Sequence, residues 1–416
     1  MKRILDVYLH GLKAGILVQD ESGVLSFTYG EGYLESEQHA LSISLPLSDK
    51  TNISHSVKAF FSGLLPDEIV RYRLAKYLGV SEKNPFALLE AIGGECAGAL
   101  SLVPRGAEVE ATSDETDELL NEDRLVGILE LLRRRPMLAG DDGLRLSLAG
   151  AQDKIAVGVS GDNIVLVKGN RPTSHILKPL IEGVEDSVHN EVFCMRLASK
   201  VGIYAPHAEI RYAAGAPYFL VERYDRKLLD GGMIERIHQE DFCQALGIMP
   251  EVKYEREGGP NMAACMELIK VKAMRPALDQ TRLLERVIFN YLIGNSDAHG
   301  KNFSLLYRNS KPDLSPAYDL LSTAIYPDLS AKMAMKIGGK YKPDDVFSRH
   351  WQKLVPDSAA AKRNLTKVLT EMCEKVRDHS RELVAELEGE GEPSKIYNKI
   401  IAVIDSRIKH IHDHGL

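Results

Sequence analysis

The chain is short of cysteine, of long apolar runs and of positive charge. Its five cysteines (Cys96, Cys194, Cys243, Cys265, Cys373) are odd in number, widely separated and never in C-x-x-C spacing. That excludes a disulfide framework and a zinc ribbon, and they read as reduced core thiols. No stretch approaches the roughly eighteen apolar residues of a membrane span, and the opening M-K-R-I-L-D-V-Y-L-H has no signal-peptide core or cleavage site. A cytoplasmic protein with no membrane partner is expected. Lys and Arg number 52 against 59 Asp and Glu, and the resulting net charge of −7 argues against nucleic-acid binding by the molecule as a whole. What remains is a soluble, globular composition, 44% hydrophobic and 27% charged, in a chain long enough for two or three domains.

Against these absences stands one dense polar stretch. Asp297 and Asn302 lie five residues apart in N-S-D-A-H-G-K-N, and Asp319 follows in P-A-Y-D-L-L. Phosphoryl transfer to a hydroxyl needs a carboxylate to receive the hydroxyl proton and an amide oxygen on a short loop to face Mg²⁺. It also needs a second carboxylate to reach the same metal. D-x-x-x-x-N followed by Asp supplies that set, although Asp, Asn, Gly and His also make ordinary turns. Upstream, Leu283, Leu284, Val287, Ile288, Tyr291 and Leu292 recur at three- and four-residue spacing. They predict a helix over 279–293, with Asp279 capping its start and Gly294 and Asn295 marking its end. Downstream, 303–307 predicts a short strand and 311–313 a turn before Asp319.

Other features suit the far end of a nucleotide. In L-S-L-A-G-A-Q-D-K, the small residues Ala149, Gly150 and Ala151 let backbone amides approach phosphate oxygens, and Lys154 adds charge. The stretch matches neither G-x-x-x-x-G-K-[ST] nor G-x-G-x-x-G, and a plain small-residue turn before a strand has the same composition. A strand over 155–159 follows it. His175 to Pro179 reads as a strand ending in Lys178, the place where kinases keep a phosphate-binding lysine. A second apolar strand, 219–225, runs into charge at Glu222, Arg223 and Asp225. It suits a hinge that reads an adenine edge through its backbone, and an ordinary buried strand reaching the surface is the other reading. Glu191, on a helix after Lys178, is a candidate ion-pair partner for that lysine. A solvated helix carboxylate is the other reading.

The motifs S-L-A-G-A-Q-D-K, H-I-L-K-P, V-E-R-Y-D-R, H-Q-E-D-F-C-Q-A-L-G and N-S-D-A-H-G-K-N-F-S strongly resemble the HipA family of bacterial serine/threonine kinases, the toxins of HipBA-type toxin–antitoxin pairs. The resemblance covers nearly the whole chain. It implies an α+β fold, with a small N-terminal α+β domain on a two-lobed, kinase-like body of the atypical, lipid-kinase-like kind. The absence of H-R-D, D-F-G and A-P-E agrees with it. It implies that ATP and Mg²⁺ are used, with Asp297 as catalytic base and Asn302 and Asp319 as metal ligands. It implies an ATP site of Ala149, Gly150, Ala151, Gln152, Asp153 and Lys154 over the phosphates, Lys178, the hinge Glu222, Arg223 and Tyr224, then His299, Gly300, Lys301, Asn302, Tyr318 and Asp319. Ser147 matches the serine that family members autophosphorylate to switch themselves off. Asp153 stands where Glu is common in the family, which keeps the charge. The implied partners are a small HipB-like helix-turn-helix antitoxin, operator DNA through that antitoxin, and a protein substrate of the aminoacyl-tRNA synthetase class, glutamyl-tRNA synthetase above all. Two rival readings stand beside this one: a catalytically weak nucleotide-binding regulator acting mainly as corepressor with the antitoxin, and a small-molecule kinase on a related scaffold.

The expected organisation is an N-terminal HipA-type domain over 1–104, an acidic linker over 105–124, a kinase-like N-lobe over 125–224 and a mainly helical C-lobe over 225–416. Within the N-terminal part, 4–9, 15–18 and 99–103 read as strands and 66–77 and 86–92 as helices. Residues 105–123 hold eight acidic side chains and one basic one, the composition of a solvated, mobile linker. Residues 249–261, with Pro250, Gly258, Gly259 and Pro260, read as a loop suited to an activation-type segment. The stretch 359–416 is rich in helix formers.

Overall fold

The computed structural model describes residues 2–36, 38–107, 117–140, 144–169 and 171–414. The chain divides into two compact units. One comprises Met1–Pro179, Tyr212–Glu251 and Ser304–Pro312; the other comprises Leu180–Arg211, Val252–Phe303 and Asp313–Leu416.

The first unit opens with a four-stranded antiparallel sheet. The strand Arg3–Leu9 lies between Leu12–Gln19 and Leu100–Pro104, and Leu25–Tyr29 pairs on the outer side of Leu12–Gln19. Alternation sets its faces: Leu25, Phe27 and Tyr29 are buried while Ser26 and Thr28 are half-buried. The first hairpin turns on His10 and Gly11, both at positive φ (52° and 78°), the backbone of a two-residue turn that matches strand twist. The helices His55–Gly63, Glu68–Leu78 and Pro85–Ile92 contribute Phe60, Phe61, Leu74, Phe86 and Leu89 to the same core. The last of them starts with Pro85 at its first turn and the Asn84 side chain accepting from the Ala87 N–H, which settles two otherwise orphaned helix-end positions.

Five strands of a second, six-stranded sheet lie wholly in this unit, in the order Ala216–Glu222, His175–Pro179, Ile155–Ser160, Asn163–Leu166 and Glu118–Leu119. The expected strands at 155–159 and 175–179 are both present. The strand foreseen over 219–225 begins earlier and ends at Glu222. The acidic stretch differs at its end: Glu118 and Leu119 pair with Leu166 and Val165, and a helix capped by Asn121 begins at Glu122. The rest of the linker expectation, 108–116, lies outside the described residues.

The second unit is mainly helical. Its longest helices are Ala359–Gly389 and Ile396–His414. Ile396, Ile400, Ile404, Ile408 and Ile411 form one buried row on the latter, the three-and-four spacing that turns a helix face inward. The helix Pro276–Ile293 carries the site loop at its end. Asp279 is not the N-cap expected from the sequence. The helix begins three residues before Asp279, with Pro276 in its first turn. Asp279 is fully buried inside it and accepts from the Leu314 N–H at 3.2 Å. A carboxylate that serves a distant backbone cannot cap its own helix end. Gly294 does close the helix as foreseen, at φ 72°, a left-handed position that favours glycine.

Candidate active site

The polar loop is built by a short relay of backbone and amide contacts within the second unit. After Gly294, the Asn295 N–H donates to the Asn290 carbonyl at 2.8 Å, and the Asn295 side chain accepts from the Asp297 N–H at 3.1 Å. The Ser296 N–H donates to Thr323 Oγ1 at 2.8 Å, and its carbonyl accepts from Ala334 N at 2.7 Å. The chain is thus pinned up to the Asp297 N–H, and the Asp297 side chain is left exposed. Asp297 Oδ1 accepts from the Tyr254 hydroxyl at 2.7 Å.

Asn302 closes the loop. Its Oδ1 accepts from the His299 N–H at 3.0 Å, and its Nδ2 donates to Asp319 Oδ2 at 3.4 Å. The Tyr318 hydroxyl donates to the Lys301 carbonyl at 2.7 Å. Asp319 has φ +53°, a left-handed conformation that is unusual outside glycine, costs energy and clusters at functional sites. Asn302 and Asp319 bring an amide and a carboxylate together, the oxygen-donor chemistry of Mg²⁺, a hard cation bound by one or two protein oxygens together with phosphate oxygens rather than by a closed protein cage. Here the amide nitrogen faces Asp319 and its oxygen the His299 N–H, so ligation by that oxygen requires the amide group to turn. Gly300 and Lys301 are buried beside His299. The His299 imidazole is pushed down to about 3 by burial first, then by Lys253 and Lys301, with Asp319 opposing. It is therefore neutral at physiological pH, and its Nδ1 is buried with no hydrogen-bond partner.

The residues expected on the phosphate side belong to the first unit. Gly150 has φ +114°, a backbone conformation that L side chains rarely adopt, so the turn of this loop favours glycine there. Lys154 donates to the Ala149 carbonyl at 2.8 Å and Gln152 Nε2 to the Pro179 carbonyl at 3.3 Å. Asp153 is paired with Arg73 at 2.6 Å, and Ala151 is exposed. Lys178 stands directly opposite Phe219 in the strand register, with its ammonium 5.2 Å from that ring's centre, as expected for opposed residues on one sheet face. Ser147 is fully buried, in a short parallel pair with Glu95 and Cys96, and its hydroxyl donates to the Leu64 carbonyl at 2.8 Å.

The three hinge candidates diverge. Glu222 is exposed. The Tyr224 hydroxyl donates to Gln239. Arg223 is buried, its N–H donates to the Ser174 carbonyl at 2.9 Å, and its guanidinium meets Asp225 (2.9 and 3.0 Å), Glu95 (3.3 Å) and Thr173 (3.0 Å). Its side chain is a structural ion-pair member. Glu191 is buried on the helix Ser187–Lys200.

Sequence reasoning missed Tyr254 and Lys253. The signal was available: both stand in K-Y-E-R-E-G-G-P, where a double glycine marks an unusual backbone beside an aromatic residue. The segment is not a plain loop. It forms 3₁₀ turns at Pro250–Val252 and Glu255–Glu257.

Two family models match the chain: the HipA N-terminal domain over residues 5–103 and the HipA-like C-terminal domain over 146–380. A putative kinase of Sinorhizobium fredii, Y4mE, is 44% identical over 382 residues, covering 90% of this chain and 91% of its own. The serine/threonine-protein kinase toxin HipA of Shewanella oneidensis is 31% identical over 358 residues, covering 83% and 81%. A solved Shewanella oneidensis complex of HipA, HipB and operator DNA contains a chain that superposes with a TM-score of 0.83 at 26% identity, over 99% of this chain and 100% of that one. The α+β, kinase-like fold is therefore shared along the full length, and the chain belongs to the HipA family of serine/threonine kinase toxins.

Proposed function

We propose that the chain is a Mg-ATP-dependent serine/threonine protein kinase that acts as the toxin of a toxin–antitoxin pair. The observation that carries the reading is the convergence of Asn302 on Asp319 with Asp297 held a few residues away on the same pinned loop. In this reading Asp297 orients an acceptor hydroxyl and receives its proton, while Asn302 and Asp319 hold the metal. Bound Mg-ATP supplies the γ-phosphoryl group and the cationic charge that offsets its phosphates. Lys178, Lys154 and the small-residue loop from Ala149 hold phosphate oxygens, and the segment Glu222 to Tyr224 borders the adenine, with the Arg223 backbone already committed to Ser174 and Arg226. Little covalent chemistry is asked of the protein; positioning and charge complementarity carry the rate.

The acceptor is a protein, with an aminoacyl-tRNA synthetase, that for glutamate first, as the candidate. Ser147 is a second, intramolecular acceptor, whose modification places about two negative charges beside a loop adapted to anions and silences the enzyme. The partner is a HipB-like helix-turn-helix antitoxin, through which an acidic protein of net charge −7 reaches operator DNA. Mass spectrometry after incubation with Mg-ATP tests the reading. Phosphate should appear on wild type at Ser147, be absent from Ser147→Ala at that position, and be lost throughout in Asp297→Asn. Transfer by Asp297→Asn at the wild-type rate would remove the proposed base.

A further inference from the structure

We propose that Tyr254 is a positioning residue of the phosphoryl-transfer site, holding the Asp297 carboxylate in the orientation that meets the acceptor hydroxyl. The inference rests on the reading of Asp297 as proton acceptor. Asp297 projects from its loop into solvent, and an exposed aspartate exchanges between rotamers unless something fixes it. The Tyr254 hydroxyl restrains it, donating to Oδ1 at 2.7 Å from 43 residues away.

The tyrosine is itself built in. Its carbonyl accepts from both Glu257 N and Gly259 N at 2.9 Å. A Cβ at residue 259 would lie 2.4 Å from the Val252 carbonyl, so this tight closure requires glycine. Glu255 anchors the next position: its N–H donates to the Ala334 carbonyl at 3.2 Å, and its carboxylate accepts from the Lys336 N–H at 2.6 Å and pairs with the Lys336 ammonium at 3.3 Å. The Gly300 N–H donates to the Lys253 carbonyl at 3.3 Å, which ties the segment to the same loop that carries Asp297. The ring stands edge-on to the neutral His299 at 5.1 Å, and the Lys253 and Arg256 cations lie 5.6 and 5.3 Å from its centre. With ring and backbone both held, the hydroxyl is a fixed donor. One carboxylate oxygen is thereby committed, so the orientation in which the acceptor meets the base is chosen before it arrives. Small misplacements of a reacting group cost up to about a hundredfold in rate.

The experiment uses the full chain with γ-³²P-labelled Mg-ATP, measuring transfer to the chain itself and to dephosphorylated casein. Wild type, Tyr254→Phe, Asp297→Asn and the double variant are compared, with melting temperatures. Phenylalanine keeps the ring and its contact with His299; Tyr254→Met serves as a second hydroxyl-free variant should it fail to fold. We expect Tyr254→Phe to lower kcat by about ten- to a hundredfold while KM for ATP stays within about twofold. The double variant should match Asp297→Asn, and the melting temperature should not move. Unchanged kcat overturns the proposal. So does raised kcat, which would make Tyr254 a place-holder for the acceptor, and so does an effect on KM alone. Phosphate found on Tyr254 would also overturn it, because the residue would then be an acceptor. Active Asp297→Asn, or a silent wild type, would defeat the reading of the base and is separable from each of these.

Discussion

Asn302 donates its side-chain N–H to Asp319 across 17 residues of sequence, and Asp319 accepts it from a left-handed backbone. The strain at Asp319 has a use if its carboxylate must face the amide and a metal together. Asp319→Asn keeps the shape, tolerates the same φ and removes the charge. We expect it to lower phosphoryl transfer by at least about a hundredfold and to raise the Mg²⁺ concentration needed for half-maximal rate, with little change in melting temperature. Asn302→Ala should act in the same direction. Transfer rates across a Mg²⁺ titration check both.

Much of this arrangement was legible because its determinants are local. D-x-x-x-x-N fixes a loop length, the apolar spacing of Leu283 to Leu292 marks the preceding helix, and Gly294 marks its end. Three features were not legible, and for one physical reason. Asp279 was read as a cap but serves Leu314, 35 residues on. Tyr254 acts 43 residues from its partner, and Arg223 reaches Glu95 across 128. Hydrogen-bonding groups state their capacity in the sequence, but the partner is chosen by tertiary packing.

Glu95, Arg223, Asp225 and Arg226 form a buried ion cluster in the first unit, with Arg226 2.7 Å from Glu95 and Arg223 2.9 Å from Asp225. Burial alone would push the Asp225 carboxyl up, but Arg223 and Arg226 overcome it and hold it well below the usual range. Asp225 also accepts from the Gly98 N–H at 2.7 Å. Removing one member strands buried opposite charge. We expect Asp225→Ala to cost about 3–5 kcal/mol, measured by urea denaturation. A group with a depressed folded pKa stabilises above its unfolded value and loses that contribution as pH falls, so the wild-type excess over the variant should shrink on acidification below about pH 4.

The buried Ser147 hydroxyl leaves no space for a phosphate where it stands. Phosphorylation therefore requires the pairing of Leu146 and Ser147 with Glu95 and Cys96 to open. We expect stoichiometrically phosphorylated protein to show faster amide hydrogen exchange across 146–154 than unmodified protein, and Ser147→Ala to lose about 1 kcal/mol of stability from the bond to Leu64. Identical exchange in the two forms would mean that the loop accommodates the phosphate in place.

Glu240 carries a pH dependence of the opposite sign. It is fully buried, and burial pushes its carboxyl up to about 7, against the hydrogen bonds from Ser42, Tyr307 and the Ile43 N–H. The unfolded chain releases this proton near 4.5. Between those values the folded state binds the extra proton, so stability is full below about pH 4.5, declines as pH rises toward 7 and is flat above it. The span corresponds to about 3 kcal/mol. Buried His238, held neutral chiefly by burial, weakens the fold on the acid side, but it does so equally when residue 240 is glutamine. The difference between wild type and Glu240→Gln therefore isolates the carboxyl. Urea denaturation at pH 5, 6, 7 and 8 should show the variant gaining on wild type by up to that amount from the first point to the last. A constant difference across the series would mean that Glu240 is ionised in the fold throughout, with its charge satisfied by the three donors around it.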